Sequence, residues 1–242
     1  MKLLESAPNL LEKVHGAILS EIAAGRLQPG SRVIQEKVAR DLGVSRQPVQ
    51  LALALLRTQG VLRDAPGRGL QVAPIDLDYV LNMYEMRAVI EGLASRQAAL
   101  RNAPQARSRG PALIQRGRKA VAAGSVKAMI AADMAFHGLI YELADNPLVA
   151  PTMETHWTYT QRVMGEVLMR DETPRDIWDQ HEALLQAIGR GDGAGAEQLA
   201  RKHIVQAASF MIERLRLEAQ QPAVVGGRVA GRAGPTAARR VA

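Results

Sequence analysis

Between Leu42 and Val72 the chain runs LGVSRQPVQLALALLRTQGVLRDAPGRGLQV, and few folds accept that order of residues. Gly43 stops a short helix spanning Gln35 to Leu42. Ser45 stands where the next helix begins, and its hydroxyl can accept an orphan backbone N–H there. Pro48 falls in the first turn, where its missing donor costs little. Val49, Leu53 and Leu56 recur at helical spacing and predict a buried stripe, and Gly60 ends the helix. Val61–Arg63 and Leu70–Ala73 then read as two strands joined through Pro66-Gly67-Arg68-Gly69. A short helix, a turn, a second helix and a basic hairpin make up a winged helix-turn-helix. In that fold the second helix enters the major groove of DNA and the hairpin, or wing, lies beside it.

The side chains suit that use. Arg46, Gln47 and Gln50 share the N-terminal face of the second helix, opposite the apolar stripe. Arginine matches the two acceptors of guanine, and glutamine the donor and acceptor of adenine. Arg68 sits at the hairpin tip between two glycines, free to reach a backbone or minor groove. Ser45, and Arg32 in a possible short strand Arg32–Ile34, complete the candidate DNA contacts. An ordinary surface helix also carries polar residues, so the hairpin in register is what separates the two readings. Upstream, Leu10, Leu11, Val14, Ile18 and Ile22 predict a helix within Pro8–Gly25, closed by Gly25 and the Pro29-Gly30 turn.

Charge is distributed to match. Residues 1–75 carry 10 basic and 6 acidic side chains, residues 76–217 carry 17 of each, and residues 218–242 carry 4 and 1. A basic front on a neutral body fits phosphate contact at one end. With no cysteine among 242 residues, disulfide scaffolds and thiolate metal sites are excluded. No apolar run is long enough for a signal peptide or a membrane span, so no membrane partner and a cytoplasmic location are expected. Aromatics are only 3 % of the chain, so Ala, Leu, Val and Ile must build the core, which suits packed helices.

A boundary follows near Pro74, and helix upon helix comes after it: 76–101, 105–123, 125–144, 147–170, 174–190 and 193–217. The expected class is mainly α. A winged helix-turn-helix over residues 1–74 precedes an all-α antiparallel helical bundle over 75–217. Residues 218–242, rich in Gly, Ala, Pro and Arg, read as a basic, disordered tail.

Five histidines are present, at positions 15, 137, 156, 181 and 203. Asp133 and His137 are i and i+4 on one predicted helix, and His181 and His203 lie on two later ones. Imidazole and carboxylate suit zinc, nickel, manganese or iron, and bundles build metal sites from facing helices. By itself an Asp-x-x-x-His pair is also a common helix-face contact.

These segments together resemble the GntR family of bacterial transcription regulators. Ala24-Gly25-Arg26-Leu27-Gln28-Pro29-Gly30 is similar to its G-x-L-x-P-G turn, and Leu42 through Val49 to its L-G-V-S-R-x-P-V segment. The chain departs from the pattern at Gln50 and Leu51, where the family usually has Arg and Glu. Its operator is therefore expected to differ from the family's usual one. Asp76-Leu77 through Glu91, Asp133-Met134-Ala135-Phe136-His137 with Asp145-Asn146-Pro147, and Gln180-His181-Glu182 with Gly191-Asp192 resemble the FCD effector domain of the FadR subfamily.

That resemblance implies a divalent metal, zinc first, held by Asp133, His137, His181 and His203. It also implies a small carboxylate effector completing the metal's shell, with Arg87, Glu91 and Arg162 as candidate pocket residues. A plain Arg87–Glu91 helix-face salt bridge is the competing reading of that pair. His15 and His156 match no motif. The expected function is a homodimeric, metabolite-responsive regulator of a double-stranded operator, more in the manner of a repressor than an enzyme. A metal-dependent enzyme with a DNA-binding domain and a pure metal sensor are the alternatives.

Overall fold

The computed structural model describes residues 10–169 and 177–220. The first part packs α1 (Leu10–Ala23), α2 (Gln35–Leu42) and α3 (Arg46–Thr58) against three short strands. These are β1 (Arg32–Val33), β2 (Leu62–Asp64) and β3 (Leu70–Val72). The sheet has the order β1-β3-β2, antiparallel throughout, with Arg32 and Arg63 both opposite Gln71. Alternation explains the wing: Leu62 and Val72 turn inward while Arg63 faces out. Gly67 and Gly69 take φ near +88 and +89, a conformation that side chains with a Cβ rarely adopt, so the tip needs glycine.

The second part is helical: α4 (Leu77–Ala122), α5 (Val126–Leu143), α6 (Val149–Leu168), α7 (Ile177–Gly189) and α8 (Gly193–Gln220). Asp76 starts α4, its carboxylate accepting from the N–H groups of Asp78 and Tyr79. The expected break at residues 102–104 is present as a kink where two helical segments of α4 meet without a loop, Asn102 leaving helical geometry (φ −136, ψ 31). Pro104 supplies no N–H and so opens the ladder there. The Asn102 amide then donates to the Leu143 carbonyl at the end of α5, which holds the bend. α8 runs three residues past its expected end. The expected start of α7 at residue 174 and the tail from residue 221 lie outside the described residues. No described helix is long and apolar enough to cross a membrane.

The two parts share a core. One apolar cluster runs from Val14, Ile18 and Leu56 through Val72 and Met83 to Val163, Ile204 and Met211. At the seam, α6 lies against α1 so closely that a Cβ on Gly165 would come 2.6 Å from the Ala23 carbonyl oxygen. The Tyr159 hydroxyl accepts the Asp76 N–H at 3.0 Å, and the Arg162 guanidinium donates to the Ala73 carbonyl. A second apolar cluster, around Phe136, Leu143, Met153 and Leu184, fills the body below.

Candidate functional site

The body's helices α5, α7 and α8 bring Asp133, His137, His181 and His203 to one place. All three histidines are buried, and their ligating nitrogens lie within 4.8 Å of one another. The His181 and His203 Nε2 atoms are 3.1 Å apart. Asp133 Oδ1 is 3.5 Å from His181 Nε2 and 3.9 Å from His137 Nε2. Two nitrogens at about 2.1 Å from one ion, at right angles to each other, stand about 3 Å apart, so the spacing fits a shared cation.

The outer nitrogens support the same reading. His137 Nδ1 lies 2.8 Å from Glu91 Oε2, and His203 Nδ1 lies 3.0 Å from the Gln180 side-chain oxygen. Each acceptor holds the proton on Nδ1 and leaves the Nε2 lone pair facing the cluster, the arrangement that metal-bound histidines use. Burial, and the neighbouring His203 and His137, push the His181 imidazole well below its ordinary range. Burial likewise lowers His203 to about 3. Both are therefore neutral, the form that binds metals. Burial also raises the Asp133 carboxyl, so an anion in this place is favoured once a cation sits beside it.

Glu91 and Arg87 form the next layer. Glu91 receives hydrogen bonds from Tyr141 OH at 2.7 Å and from Arg87 at 3.0 Å as well as its contact with His137. Burial alone would raise its pKa, but His137 and Arg87 outweigh that and hold it at about 2. Glu91 is thereby committed to orienting His137. Arg87 lies 4.7 Å from the Trp157 ring and lines a cavity of about 340 Å³ together with Tyr84, Asp133, His137 and His203. Its Nε is buried without a hydrogen-bond partner. A cavity lined by three candidate ligands and by a guanidinium side chain can take a small anion.

Arg162 stands apart from this group. It does not line the cavity but ties α6 to Ala73 at the seam. Aromatics to which the sequence reading gave no role surround the site. Phe136 stacks on His181 at 4.3 Å, Trp178 meets His181 edge-on at 4.7 Å, and Tyr141 and Trp157 flank His137. Their scarcity was the available signal, since both tryptophans of a chain with two are here. Tyr141 also lies four residues after His137 on the same helix face. Of the two unassigned histidines, His15 contacts Gln59 at 2.7 Å, tying α1 to the end of α3, and His156 Nδ1 is buried without a partner.

At the other end of the molecule, α3 exposes Arg46, Gln47 and Gln50 and buries Val49, Ala52, Leu53 and Leu56. Ser45 is the N-cap with extended backbone, but its hydroxyl makes no capping bond. The neighbouring Gln35 side chain instead holds the Arg46 carbonyl at 3.0 Å, and Arg46 Nη1 lies 3.6 Å from Glu36. Leu51 is 52 % exposed on the same helix. Arg32 donates to the Pro66 and Arg68 carbonyls at 2.7 and 3.1 Å, which braces the wing and aims Arg68 outward.

A winged head with an exposed polar reading helix, joined to a helical body, defines a DNA-binding transcription regulator. The chain belongs to the GntR family: residues 10–72 match the bacterial regulatory proteins of the gntR family, and residues 82–206 match the FCD domain. It is 25 % identical over 215 residues to the HTH-type transcriptional regulator YdfH of Escherichia coli O6:H1, covering 89 % of this chain and 94 % of that one. It is 25 % identical over 207 residues to the HTH-type transcriptional repressor RspR of Escherichia coli, covering 86 % and 90 %. Among solved structures, E. coli McbR/YncC has the same fold, with a TM-score of 0.75 at 21 % identity over 85 % of this chain and 98 % of that one.

Proposed function

We infer that this regulator represses its target genes as a homodimer in the cytoplasm and that a small carboxylate bound beside a metal ion changes its grip on the operator. The head, residues 1–74, reads DNA through Arg46, Gln47, Gln50 and Arg68, with Ser45 at the helix start and Arg32 bracing the wing. The body, residues 75–217, holds the metal through Asp133, His137, His181 and His203. Zinc is the first choice for three imidazoles and a carboxylate, with nickel, manganese and iron as alternatives. The ion would supply open coordination positions and positive charge, and Arg87 a second contact for the carboxylate. Repression is the direction suggested by the name of RspR, the similar E. coli protein.

The observation that carries this reading is that three of the four candidate ligands, Asp133, His137 and His203, share the wall of one cavity with the Arg87 side chain. Signal has a short way to travel. Arg87 touches Thr160 and Trp157 on α6; on the same helix Arg162 and Gly165 meet the head at Ala73 and Ala23, and Tyr159 holds Asp76 just after it. The test is operator binding by fluorescence anisotropy with metal-loaded protein and a panel of mono-, di- and tricarboxylates. One acid should shift the operator Kd by roughly 5- to 150-fold, and His181→Ala should abolish both metal uptake and the shift. Specific operator binding that no acid alters would defeat the sensing claim.

A further inference from the structure

The cavity beside the candidate ligands changes character along its length. The acidic and basic residues among its described lining are Arg87, Asp133, His137 and His203. On α5, His137, Asp133 and Met129 follow one another at intervals of four residues and line the cavity from one face of the helix. On α8, His203, Ala207 and Met211 do the same. Ile130 and Met211 belong to one apolar cluster, so the two helices run side by side away from the histidines and toward the head. The α6 helix touches Arg87 at Trp157 and Thr160 and lines the cavity one and two turns later, with Met164 and Leu168. The far end is thus walled by Met129, Met164, Leu168, Phe210 and Met211, with no acidic or basic side chain among the described residues.

Helix geometry gives the depth. The step from His137 to Met129, like that from His203 to Met211, is about 12 Å along its helix. An extended chain advances about 1.2 Å per bond, so about eight carbons reach from a carboxylate at the ion to the far end. A row of hydroxyls over that distance would lie against methionine and leucine side chains, and each polar group buried there without a partner weakens binding. Methylene groups gain instead, and flexible thioethers mould around a chain.

We propose that the effector is an amphipathic monocarboxylic acid, its carboxylate at the ion and Arg87 and its apolar body, about eight carbons long, lying between α5, α6 and α8. The proposal rests on the metal-and-carboxylate reading of the preceding section and names the class of acid.

Calorimetric titration of full-length, zinc-loaded protein with straight-chain acids from acetate to decanoate tests it, with octanol and gluconate as controls. Affinity should rise about three- to fourfold per added methylene, at one acid per chain, and level off or fall once the cavity is filled. Octanol, which lacks the anchoring charge, should bind at least about tenfold more weakly than octanoate. Gluconate, with its hydroxyls, should bind at least about tenfold more weakly than hexanoate. Ala207→Phe, at a half-buried lining site one turn past His203, should move the optimum to shorter acids. Affinity that is flat or falls from acetate upward, or octanol binding as well as octanoate, would overturn the proposal. Tight binding of gluconate or a tricarboxylate at the ion, with no gain from chain length, would overturn it and leave the carboxylate reading standing. A folded Ala207→Phe protein with an unchanged optimum would place the tail elsewhere and overturn it too. Failure of every acid to bind the zinc-loaded protein would remove both readings.

Discussion

Glu91 shows most plainly how a single side chain organises this protein. It accepts from Arg87, His137 and Tyr141 inside a space closed to water, so its charge balances one cation and sets the tautomer of another group. Replacing it by an isosteric amide leaves the Arg87 guanidinium buried without a counter-charge. Glu91→Gln should cost about 3 kcal/mol or more of stability, read as a shift in the urea unfolding midpoint. Metal affinity should fall about 10- to 100-fold because His137 loses its orienting carboxylate.

Acid should act through the histidines. In the unfolded chain His181 and His203 take up protons near 6.5, but in the folded protein burial delays this to far lower pH. Between those limits the unfolded state binds more protons, so stability is full above 6.5 and declines as pH falls toward 3. Each contributes up to about 1.4 kcal/mol per pH unit. His137 acts on the other side: burial would lower it, but Glu91 and Asp133 raise it above 6.5, so its contribution is already complete below that value. Asp133, raised by burial, takes up a proton early and returns part of the loss. Metal-free protein should therefore have a lower urea midpoint at pH 5 than at pH 6.5, and bound metal should steepen the difference.

Among elements, α7 positions His181, and its distance from α4 is set by a missing side chain. A Cβ on Gly117 would fall 2.0 Å from the indole of Trp178, which packs edge-on against His181. Gly117→Ala should push α7 outward, lower the melting temperature by an amount equivalent to about 1–3 kcal/mol and weaken metal binding. The reverse, an unchanged metal affinity measured by calorimetry, would show that α7 can retreat without moving His181.

Legibility in the sequence followed how local each cause was. The stripe of α3, the glycine-bounded wing and the i, i+4 relation of Asp133 and His137 are local patterns, and each element stands where its pattern put it. The ligand cluster spans three helices and was reachable only through resemblance. The roles of Gln180 and Tyr141 were not legible, because Gln180 faces a nitrogen of His203 and Tyr141 donates to Glu91, both on other helices, and no spacing encodes that. Pro104 marked a break and the chain bends there, but the absence of a loop was not legible, because the bend is held by the Asn102 amide on the Leu143 carbonyl of a distant helix. Arg162 looked like a pocket residue by resemblance, but its partner is a backbone carbonyl 89 positions away.

At the scale of the whole molecule, α6 is the shared wall between sensor and reader. Arg162 is buried, and its contact with Ala73 is the polar link nearest the wing. Arg162→Met keeps much of its bulk and removes that link. The variant should bind operator within about threefold of wild type but respond to the carboxylate with a smaller coupling, measured by titrating operator with and without effector. Full retention of the coupling would move the route of communication elsewhere.

The continuous core across the seam has a consequence for how such proteins diversify. Reader and sensor are commonly pictured as exchangeable parts on a string. Here the back of the reading helix and α8, which carries His203, contribute to one apolar mass, and the glycine at position 165 makes room for a helix in the other half. A new reader grafted at Pro74 would inherit a wall shaped for a different neighbour. Changes in DNA preference are thus easier to reach by point replacement on the outer face of α3, where Gln50 and Leu51 are exposed, than by shuffling whole heads. A biosensor built from this chain should be retargeted in the same way.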